Sequence, residues 1–347
     1  MIRISETTKI YVHCPAGLVT GGAELLHQFV SILNDNNRNA YIVYFGGMQS
    51  NDYSVPSEYC MYNIKQARII EDSEYNVEVI YEGVFNLARN NKKIQKLLWW
   101  LSVDNFYICS SSYLSILDLM RYDIKMAAYA FIKRTVKSAI HMQNLFKKSL
   151  SLRELKALNA VNGYQSEYAH LFLYENGFYE VVALKDFINS DYNNLCDFKS
   201  SDRKDIVLYN PKKGLSYTKK LMALANDINW VPLQNMTRSE LVNVMRVAKV
   251  YVDFGYHPGK DRLPRECAAN GCCVITGMRG SANYFEDVPI PSKYKFDEKH
   301  ANKKDIIRQI RWVLNNYDEA IVDYKYYRHQ ISREKLDFEN QILNIFS

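Results

Sequence analysis

The sequence predicts an α/β protein built from two doubly wound domains in tandem. The chain has 347 residues, which at roughly 150 residues per domain suggests two domains. Apolar segments of strand length alternate with segments of helical period, the order that produces a parallel sheet with helices on its faces. A polar stretch without period, residues 188–205, interrupts that alternation and predicts a linker. We therefore expect an N-terminal domain over 1–190, a C-terminal domain over 204–320, and a helical tail over 321–347 that packs back towards the N-terminal domain.

The N-terminal half opens with a strand, a glycine-containing loop and a helix, which is how a doubly wound domain starts. The helix is predicted to begin near Ala23, because apolar residues follow it at helical spacing. A second helix is predicted over 166–175, ended by Asn176-Gly177. Strands are predicted at KIYVHC (9–14), YIVYF (41–45), VEVIY (77–81), KLLWWLSV (96–103), SAIHM (138–142), ALNAV (157–161) and VVAL (181–184).

The C-terminal half repeats the same alternation. Its predicted strands are IVLYN (206–210), INWVPL (228–233), VYVDF (250–254) and CCVIT (272–276). Thr237 and Glu240 form the sequence signature of a capping box, which predicts a helix after them. Helical spacing from about Asp305 predicts the start of the C-terminal helices.

Composition narrows the function classes. Hydrophobic residues make up 48% and charged residues 24%, as in globular proteins with full cores. The net charge of +6 suits anionic small ligands or an acidic membrane surface, and it is too small and too dispersed to indicate nucleic-acid binding. The seven scattered cysteines lack the spacing of a zinc site. The N-terminus lacks a signal peptide's apolar core and no apolar run reaches 18 residues, so we expect a soluble or peripheral, cytoplasmic protein.

The stretch from Val250 to Gly280 gathers an unusual number of functional groups. It predicts a strand, a polar loop, a short helix with Pro264 in its first turn, a left-handed residue at Gly271, and a second strand. Ligands bind at the carboxyl ends of such parallel strands. Candidate side chains in this loop and helix start are His257, Lys260, Asp261, Arg262, Arg265 and Glu266.

Further candidates lie after other predicted strands. Lys213-Gly214 suits a diphosphate, since it combines a cation with exposed backbone N–H groups, and a solvated basic loop is the equal alternative. Gly22 starts a helix whose N–H groups can approach a phosphate or a sugar hydroxyl, although a tight turn explains it as well. Asp104 and His141 follow predicted strands, where catalytic groups collect; a hydrogen-bonded residue at a sheet edge is the alternative for His141. Trp99-Trp100 is interpreted as core.

These motifs resemble the GT-B fold glycosyltransferases, in particular the large retaining group with an E-x7-E signature. That resemblance implies two Rossmann-like domains facing across a cleft. The run from Glu266 through Gly271 to Ile275 is similar to the signature's second Glu and the G-x-P-V-I strand after it, which gives Glu266 the ribose of the donor. Lys213-Gly214 matches the end of the family's diphosphate motif, with Asn210 near the position of its usual arginine. The first Glu is replaced by Pro258, and the candidates to substitute for it are Asp261 and His257.

The resemblance implies transfer of a sugar from a nucleoside-diphosphate sugar to an acceptor hydroxyl, without metal or cofactor. Lys213, with Arg262 or Lys260 in support, would stabilise the departing diphosphate. For an inverting reaction the base would be Asp104 or His141. The nearest likeness is to bacterial surface-polysaccharide enzymes, so the expected acceptor is a glycan or lipid-linked glycan, with peripheral contact at the cytoplasmic face of the inner membrane.

Four other functions stay open at this point. A phosphorylase commonly carries a pyridoxal-binding lysine in a longer chain, and this is not evident. A non-catalytic nucleotide-sugar or glycan-binding protein of the same fold is favoured by the missing first Glu. A sugar-nucleotide 2-epimerase would need several acids and bases in the cleft, and these are not evident. An NAD-dependent oxidoreductase would need the G-x-G-x-x-G fingerprint, which is absent.

Overall fold

The chain was analysed as a computed structural model, which describes residues 2–46, 54–109, 150–192 and 198–347 and the single positions 124, 128, 131 and 132. It divides into two compact units. Unit 1 comprises Met1–Gln165, Ala169–Lys185 and Phe338–Ser347; unit 2 comprises Ser166–Tyr168 and Asp186–Asp337. The chain therefore passes between the units near residues 185 and 337, besides the short excursion at 166–168.

Unit 1 contains a parallel sheet. Its strands are β1 (Lys9–Pro15), β2 (Asn39–Phe45), β3 (Val77–Tyr81), β4 (Gln95–Trp100), β5 (Val161–Tyr164) and β6 (Val181–Ala183). They lie in the order β2-β1-β3-β4-β5-β6, and every pairing between neighbours is parallel. The strands predicted at 9–14, 41–45, 77–81, 96–103 and 181–184 are confirmed, with small shifts at their ends.

Helices with described bounds accompany this sheet. They are α1 (Gly21–Asp35), α2 (Val103–Cys109), α3 (Leu152–Ala157) and α4 (Glu167–Glu175). Helix α1 starts two residues before the predicted Ala23, and Thr20 caps it by accepting the Ala23 N–H at 3.3 Å. The helix predicted over 166–175 is confirmed as α4, and Gly177 after it adopts a φ of 76°.

The prediction of a strand over residues 157–161 was wrong. Ser151 and Glu154 form a capping box that begins α3, and this helix ends at Ala157. Asn159 then takes a left-handed φ of 51°, and the strand starts only at Val161. The capping signal and the turn therefore outweigh the apolar run that suggested a strand. The strand predicted over 138–142 lies outside the described residues.

The tryptophan pair belongs to the core of unit 1, as predicted. Both Trp99 and Trp100 are fully buried. The Trp99 indole N–H donates to the Leu184 carbonyl at 2.8 Å, and that of Trp100 donates to Asn162 Oδ1 at 3.0 Å. Burial of both rings with their N–H groups satisfied excludes a role as an exposed sugar platform.

Unit 2 has a second parallel sheet. Its strands are β7 (Lys204–Tyr209), β8 (Asn229–Pro232), β9 (Ala248–Asp253), β10 (Cys273–Gly277) and β11 (Lys295–Phe296). Their order is β11-β10-β9-β7-β8, with parallel pairing throughout. The four predicted strands of this half are confirmed, and the two-residue β11 is too short for its sequence pattern to have revealed it.

The helices of unit 2 follow the predicted signals. They are α5 (Leu215–Met222), α6 (Arg238–Val247), α7 (Arg262–Ala269), α8 (Lys303–Asn315), α9 (Tyr317–Ala320) and α10 (Lys325–Ile345), the last of which ends in unit 1. The capping box of Thr237 and Glu240 at the start of α6 is present as predicted. In the described residues no helix is both long and apolar enough to cross a membrane.

The strand order of unit 2 points to the carboxyl ends of β7 and β9 as the place where a ligand would bind. Strand β7 lies between β8 and β9, and its own connection runs through α5 to β8. Strand β9 connects through α7 to β10 on the opposite side. The connections after β7 and β9 therefore run to opposite sides of the sheet, and ligands of doubly wound folds bind at the carboxyl ends of two such neighbouring strands.

Candidate functional site

The loop after β7 is held in a tight turn beside the loop after β9. The buried Asn210 side chain accepts the Lys212 N–H at 3.0 Å. Gly214 caps α5 with a left-handed φ of 63°. A Cβ there would lie 2.5 Å from the backbone C and O of Phe254, so both the conformation and the close approach require glycine.

Asp253 ends strand β9 and is fixed by two hydrogen bonds. Its Oδ2 accepts the Tyr251 hydroxyl at 2.7 Å, and its Oδ1 accepts the Gly255 N–H at 2.9 Å. Burial alone would raise the pKa of this carboxyl, but the neighbouring His257 ring and these two donors outweigh burial and lower it. Asp253 is thus a buried carboxylate at the carboxyl end of a central strand.

His257 lies between two carboxylates. Its Nε2 is 3.4 Å from Asp253 Oδ1 and its Nδ1 is 3.6 Å from Asp261 Oδ2, and the ring is fully buried. Burial acts to lower the pKa of His257, yet the charges of Asp253 and Asp261 outweigh burial and the pKa is raised. The backbone is held too, because the His257 carbonyl accepts the Ser281 N–H at 2.8 Å.

Asp261 connects this histidine to the loop after β7. Its Oδ2 is 2.6 Å from Lys213 Nζ, and the two side chains are 18% and 33% exposed. Asp261 also occupies the cap position of α7, yet its carboxylate makes no capping hydrogen bond. The structure therefore brings the predicted residues Lys213, Gly214, His257 and Asp261 together at the carboxyl ends of β7 and β9.

The acidic groups and the histidine need not hold a metal. Ligand atoms of Asp253, His257 and Asp261 lie within 4.8 Å of one another. Each ring nitrogen faces a different carboxylate, and Lys213 supplies one positive charge to these carboxylates, to which His257 adds a second when it is protonated. We interpret the group as a chain of alternating charges, and metal-independent chemistry stays a prediction.

Lys260 and Arg262 belong to a second ionic cluster, centred on Arg265. Fully buried Arg265 pairs with Asp186 at 2.7 Å and with Glu334 at 2.9 Å, and Lys260 pairs with Glu334 at 2.7 Å. Arg262 lies 3.9 Å from Asp186. Burial would raise the pKa of Asp186, but the three cations outweigh burial and lower it. The cationic head of Lys260 is therefore committed to a carboxylate of its own unit.

Glu266 is buried on α7, one residue after Arg265. The helix begins at Arg262, so Pro264 lies in its first turn as predicted, and Gly271 after it adopts a φ of 86°. Asn270 holds the end of the helix by donating to the Glu266 carbonyl at 2.9 Å. The assignment of Glu266 to the donor ribose stays a prediction.

The remaining predicted residues belong to unit 1. Gly22 is exposed in the first turn of α1. Asp104 is buried in the first turn of α2, just after β4. His141 lies outside the described residues.

Sequence reasoning missed several buried polar groups in the strands. In unit 1, His13 of β1 contacts Glu78 of β3 at 2.6 Å, and Asn91 donates to the same Glu78 oxygen at 3.1 Å. Glu82, just after β3, has its pKa raised to about 7 by burial. Asp253 of β9 was missed likewise. The available signal was a charged or imidazole side chain inside an otherwise apolar strand, as in KIYVHC, VEVIYE and VYVDF.

Comparison with known proteins supports the architecture. No protein-family model and no curated protein sequence matches the chain. Sucrose-phosphate synthase from Thermosynechococcus elongatus is similar in structure with a TM-score of 0.58, 12% identity, and coverage of 98% of each chain. An E. coli trehalose-6-phosphate structure bound with UDP-2-fluoro glucose has a TM-score of 0.58, 7% identity, and coverage of 97% of this chain and 98% of that one. WaaG, a glycosyltransferase involved in lipopolysaccharide biosynthesis, has a TM-score of 0.50, 10% identity, and coverage of 97% and 98%. The two Rossmann-like units and these neighbours confirm the predicted fold: the chain has the GT-B fold of glycosyltransferases.

Proposed function

We propose that this protein is a glycosyltransferase that moves a sugar from a nucleoside-diphosphate sugar to an acceptor hydroxyl. The observation that carries the proposal is the position of Lys213 and Gly214 at the carboxyl ends of β7 and β9, where the loop after β9 leads into α7, the helix that carries Glu266. A cation and a glycine turn at such a switch point suit a diphosphate.

The assignment of roles follows the charges of unit 2. Lys213 is one-third exposed and can reach a ligand. Arg262, whose side chain is 18% exposed, is the second cation assigned to bind the diphosphate. Lys260 is 9% exposed and its ammonium pairs with Glu334, so it supports the site indirectly. Positive charge placed where the diphosphate departs supplies electrostatic stabilisation without a metal. Glu266 is assigned to the ribose diol.

The donor and acceptor assignments rest on similar solved structures. One similar structure is bound with UDP-2-fluoro glucose, which makes a UDP-sugar the first donor to test. WaaG takes part in lipopolysaccharide biosynthesis, which favours a glycan or lipid-linked glycan acceptor in bacterial surface polysaccharide synthesis at the cytoplasmic face of the membrane. For an inverting reaction, Asp104 is the candidate base among the described residues, with His141 as the other candidate.

The first experiment is a thermal-shift screen with UDP-, GDP-, CMP- and dTDP-sugars. A ligand at about 100 times its Kd stabilises the native state by about 2.7 kcal/mol, which gives a clear rise in melting temperature. Glu266→Gln should weaken binding of the selected nucleotide by about 1–3 kcal/mol, because a charged hydrogen bond is lost. Lys213→Ala should weaken it too, whereas Lys212→Ala, an adjacent exposed lysine, should not.

The products distinguish transfer from the other functions of this fold. A transferase releases nucleoside diphosphate in step with a new glycoside when acceptor is added. A 2-epimerase converts the donor to an isomeric nucleotide-sugar, and a non-catalytic binding protein leaves the donor intact. Failure of every nucleotide-sugar to bind, or full binding by both Glu266→Gln and Lys213→Ala, would contradict the proposal.

A further inference from the structure

One carboxylate oxygen in unit 2 lies between a lysine and a histidine. Asp261 Oδ2 is 2.6 Å from Lys213 Nζ and 3.6 Å from His257 Nδ1. His257 is in turn 3.4 Å from Asp253, which is locked to Tyr251 and Gly255. The order of the four side chains is therefore Lys213, Asp261, His257, Asp253, with the lysine at the exposed end and Asp253 at the buried end.

We propose that Asp261 is a positioning residue of the donor site and a competitor for the diphosphate: it holds the Lys213 ammonium when no donor is bound and releases it to a ligand that carries a diphosphate. This inference rests on the proposed function, because it takes Lys213 as the diphosphate group. It adds that the site contains its own competing anion, which weakens binding of a diphosphate and leaves binding of a nucleoside unchanged.

The distances favour such an exchange. Lys213 and Asp261 are in direct contact, whereas His257 stands off from both carboxylates by more than the usual 2.7–3.2 Å of a hydrogen bond. Neither ring nitrogen makes a hydrogen bond to the described residues, although the ring is fully buried. A buried, unsatisfied imidazole gains from a closer partner. His257 can therefore form a closer contact with the Asp261 carboxylate when Lys213 turns to a phosphate.

The start of α7 offers Asp261 a second partner. An aspartate at a helix cap usually accepts an N–H of the first turn, and the carboxylate of Asp261 does not. The carboxylate is instead directed at Lys213 and His257. Once released from Lys213, it can satisfy the histidine and the positive end of the helix together, so its charge stays compensated.

A ligand that binds Lys213 must displace the Asp261 carboxylate from it. The Lys213–Asp261 pair is partly exposed, so solvent weakens its attraction and a ligand can reach it. A diphosphate brings more negative charge than Asp261 and several acceptor oxygens, while a nucleoside brings none. Asp261 therefore lowers the affinity of the site for nucleoside diphosphates and not for nucleosides that share the same base and ribose.

The test uses Asp261→Asn in the full-length protein with two probes. UDP binding is measured by isothermal titration calorimetry, and uridine binding by displacement of UDP, with GDP and guanosine used if the screen selects a guanine donor. We expect Asp261→Asn to bind UDP at least tenfold more tightly than wild type and to bind uridine within twofold of wild type. In the double variant Lys213→Ala/Asp261→Asn the gain for UDP should vanish.

The possible outcomes separate the competing-anion role of Asp261 from the proposed glycosyltransferase function. Unchanged or weaker UDP binding by Asp261→Asn, with uridine unaffected, overturns the competing-anion role and leaves the glycosyltransferase proposal standing. Equal gains for UDP and uridine overturn it as well, because the effect would not depend on phosphate. If Asp261→Asn does not fold, Asp261→Ser, which keeps a capping side chain, carries the same test. If wild type binds no nucleotide, the proposed function falls and this inference with it.

Discussion

Gly255 lies directly against Lys213. A Cβ at position 255 would be 2.5 Å from the Lys213 Cβ and 2.8 Å from Asp253 Oδ1. The absence of a side chain at Gly255 thus lets the loop after β7 approach the end of β9. This contact allows an effect on nucleotide binding to be tested apart from an effect on the stability of the fold.

Gly255→Ala should displace Lys213 and weaken binding of the nucleoside diphosphate severalfold. The backbone at 255 is not in the left-handed region, so the added methyl group acts by contact and not by backbone strain. Calorimetry with UDP measures the affinity, and melting temperature reports the fold. Affinity equal to that of wild type would show that Lys213 is placed independently of Gly255.

Gly214→Ala is the matched comparison for that variant. Its Cβ would meet the Phe254 backbone, and its φ of 63° is unfavourable for alanine by about 1–2 kcal/mol before any clash is counted. We therefore expect a larger fall in melting temperature for Gly214→Ala than for Gly255→Ala. The reverse order would contradict this reading of the two loops.

The Arg265 cluster should contribute strongly to the stability of unit 2. Asp186→Asn removes one charge that compensates a fully buried guanidinium, and breaking a buried pair in this way costs about 3–5 kcal/mol. Asp227→Asn is the control, since it breaks the exposed Arg311–Asp227 pair on the surface of the same unit and should leave stability close to that of wild type. Urea unfolding measures both variants, and equal effects would argue against a buried ionic role for Asp186.

The sequence predicted those features that depend on local patterns. The strands at β7, β8, β9 and β10, the capping box at Thr237 and the left-handed Gly271 all follow from apolar runs, helix caps and glycine conformation. The fold class followed from their order. Where two local signals competed, as around Ala157, the capping box and the turn decided and the apolar run was misread.

The candidate site was predictable in its residues but not in its pairings. Lys213 and Asp261 are 48 positions apart, and only the parallel register of β7 and β9 brings their side chains to 2.6 Å. The partners of Arg265 are more distant still, because Asp186 and Glu334 lie close to the two points where the chain passes between the units. Long-range ion pairs depend on topology, so the spacing of charges along the chain carries no signal for them.

The raised pKa of His257 predicts a pH-dependent stability. Its pKa in the folded protein lies above the ordinary value of 6.5, because Asp253 and Asp261 outweigh the effect of burial, with Lys213 opposing them. A group with a raised folded pKa stabilises fully below its unfolded pKa, and that stabilisation is lost as the pH rises through the folded value. The free energy of unfolding of wild type should therefore exceed that of His257→Gln most at pH 5.5–6, and this difference should shrink as the pH rises beyond the raised pKa.

Urea titrations of both proteins from about pH 5.5 to 9 measure this difference while staying above the titration of the carboxylates. A difference that stays constant, or grows towards alkaline pH, would mean that His257 is neutral between its two carboxylates and that the chain of alternating charges is broken at its centre.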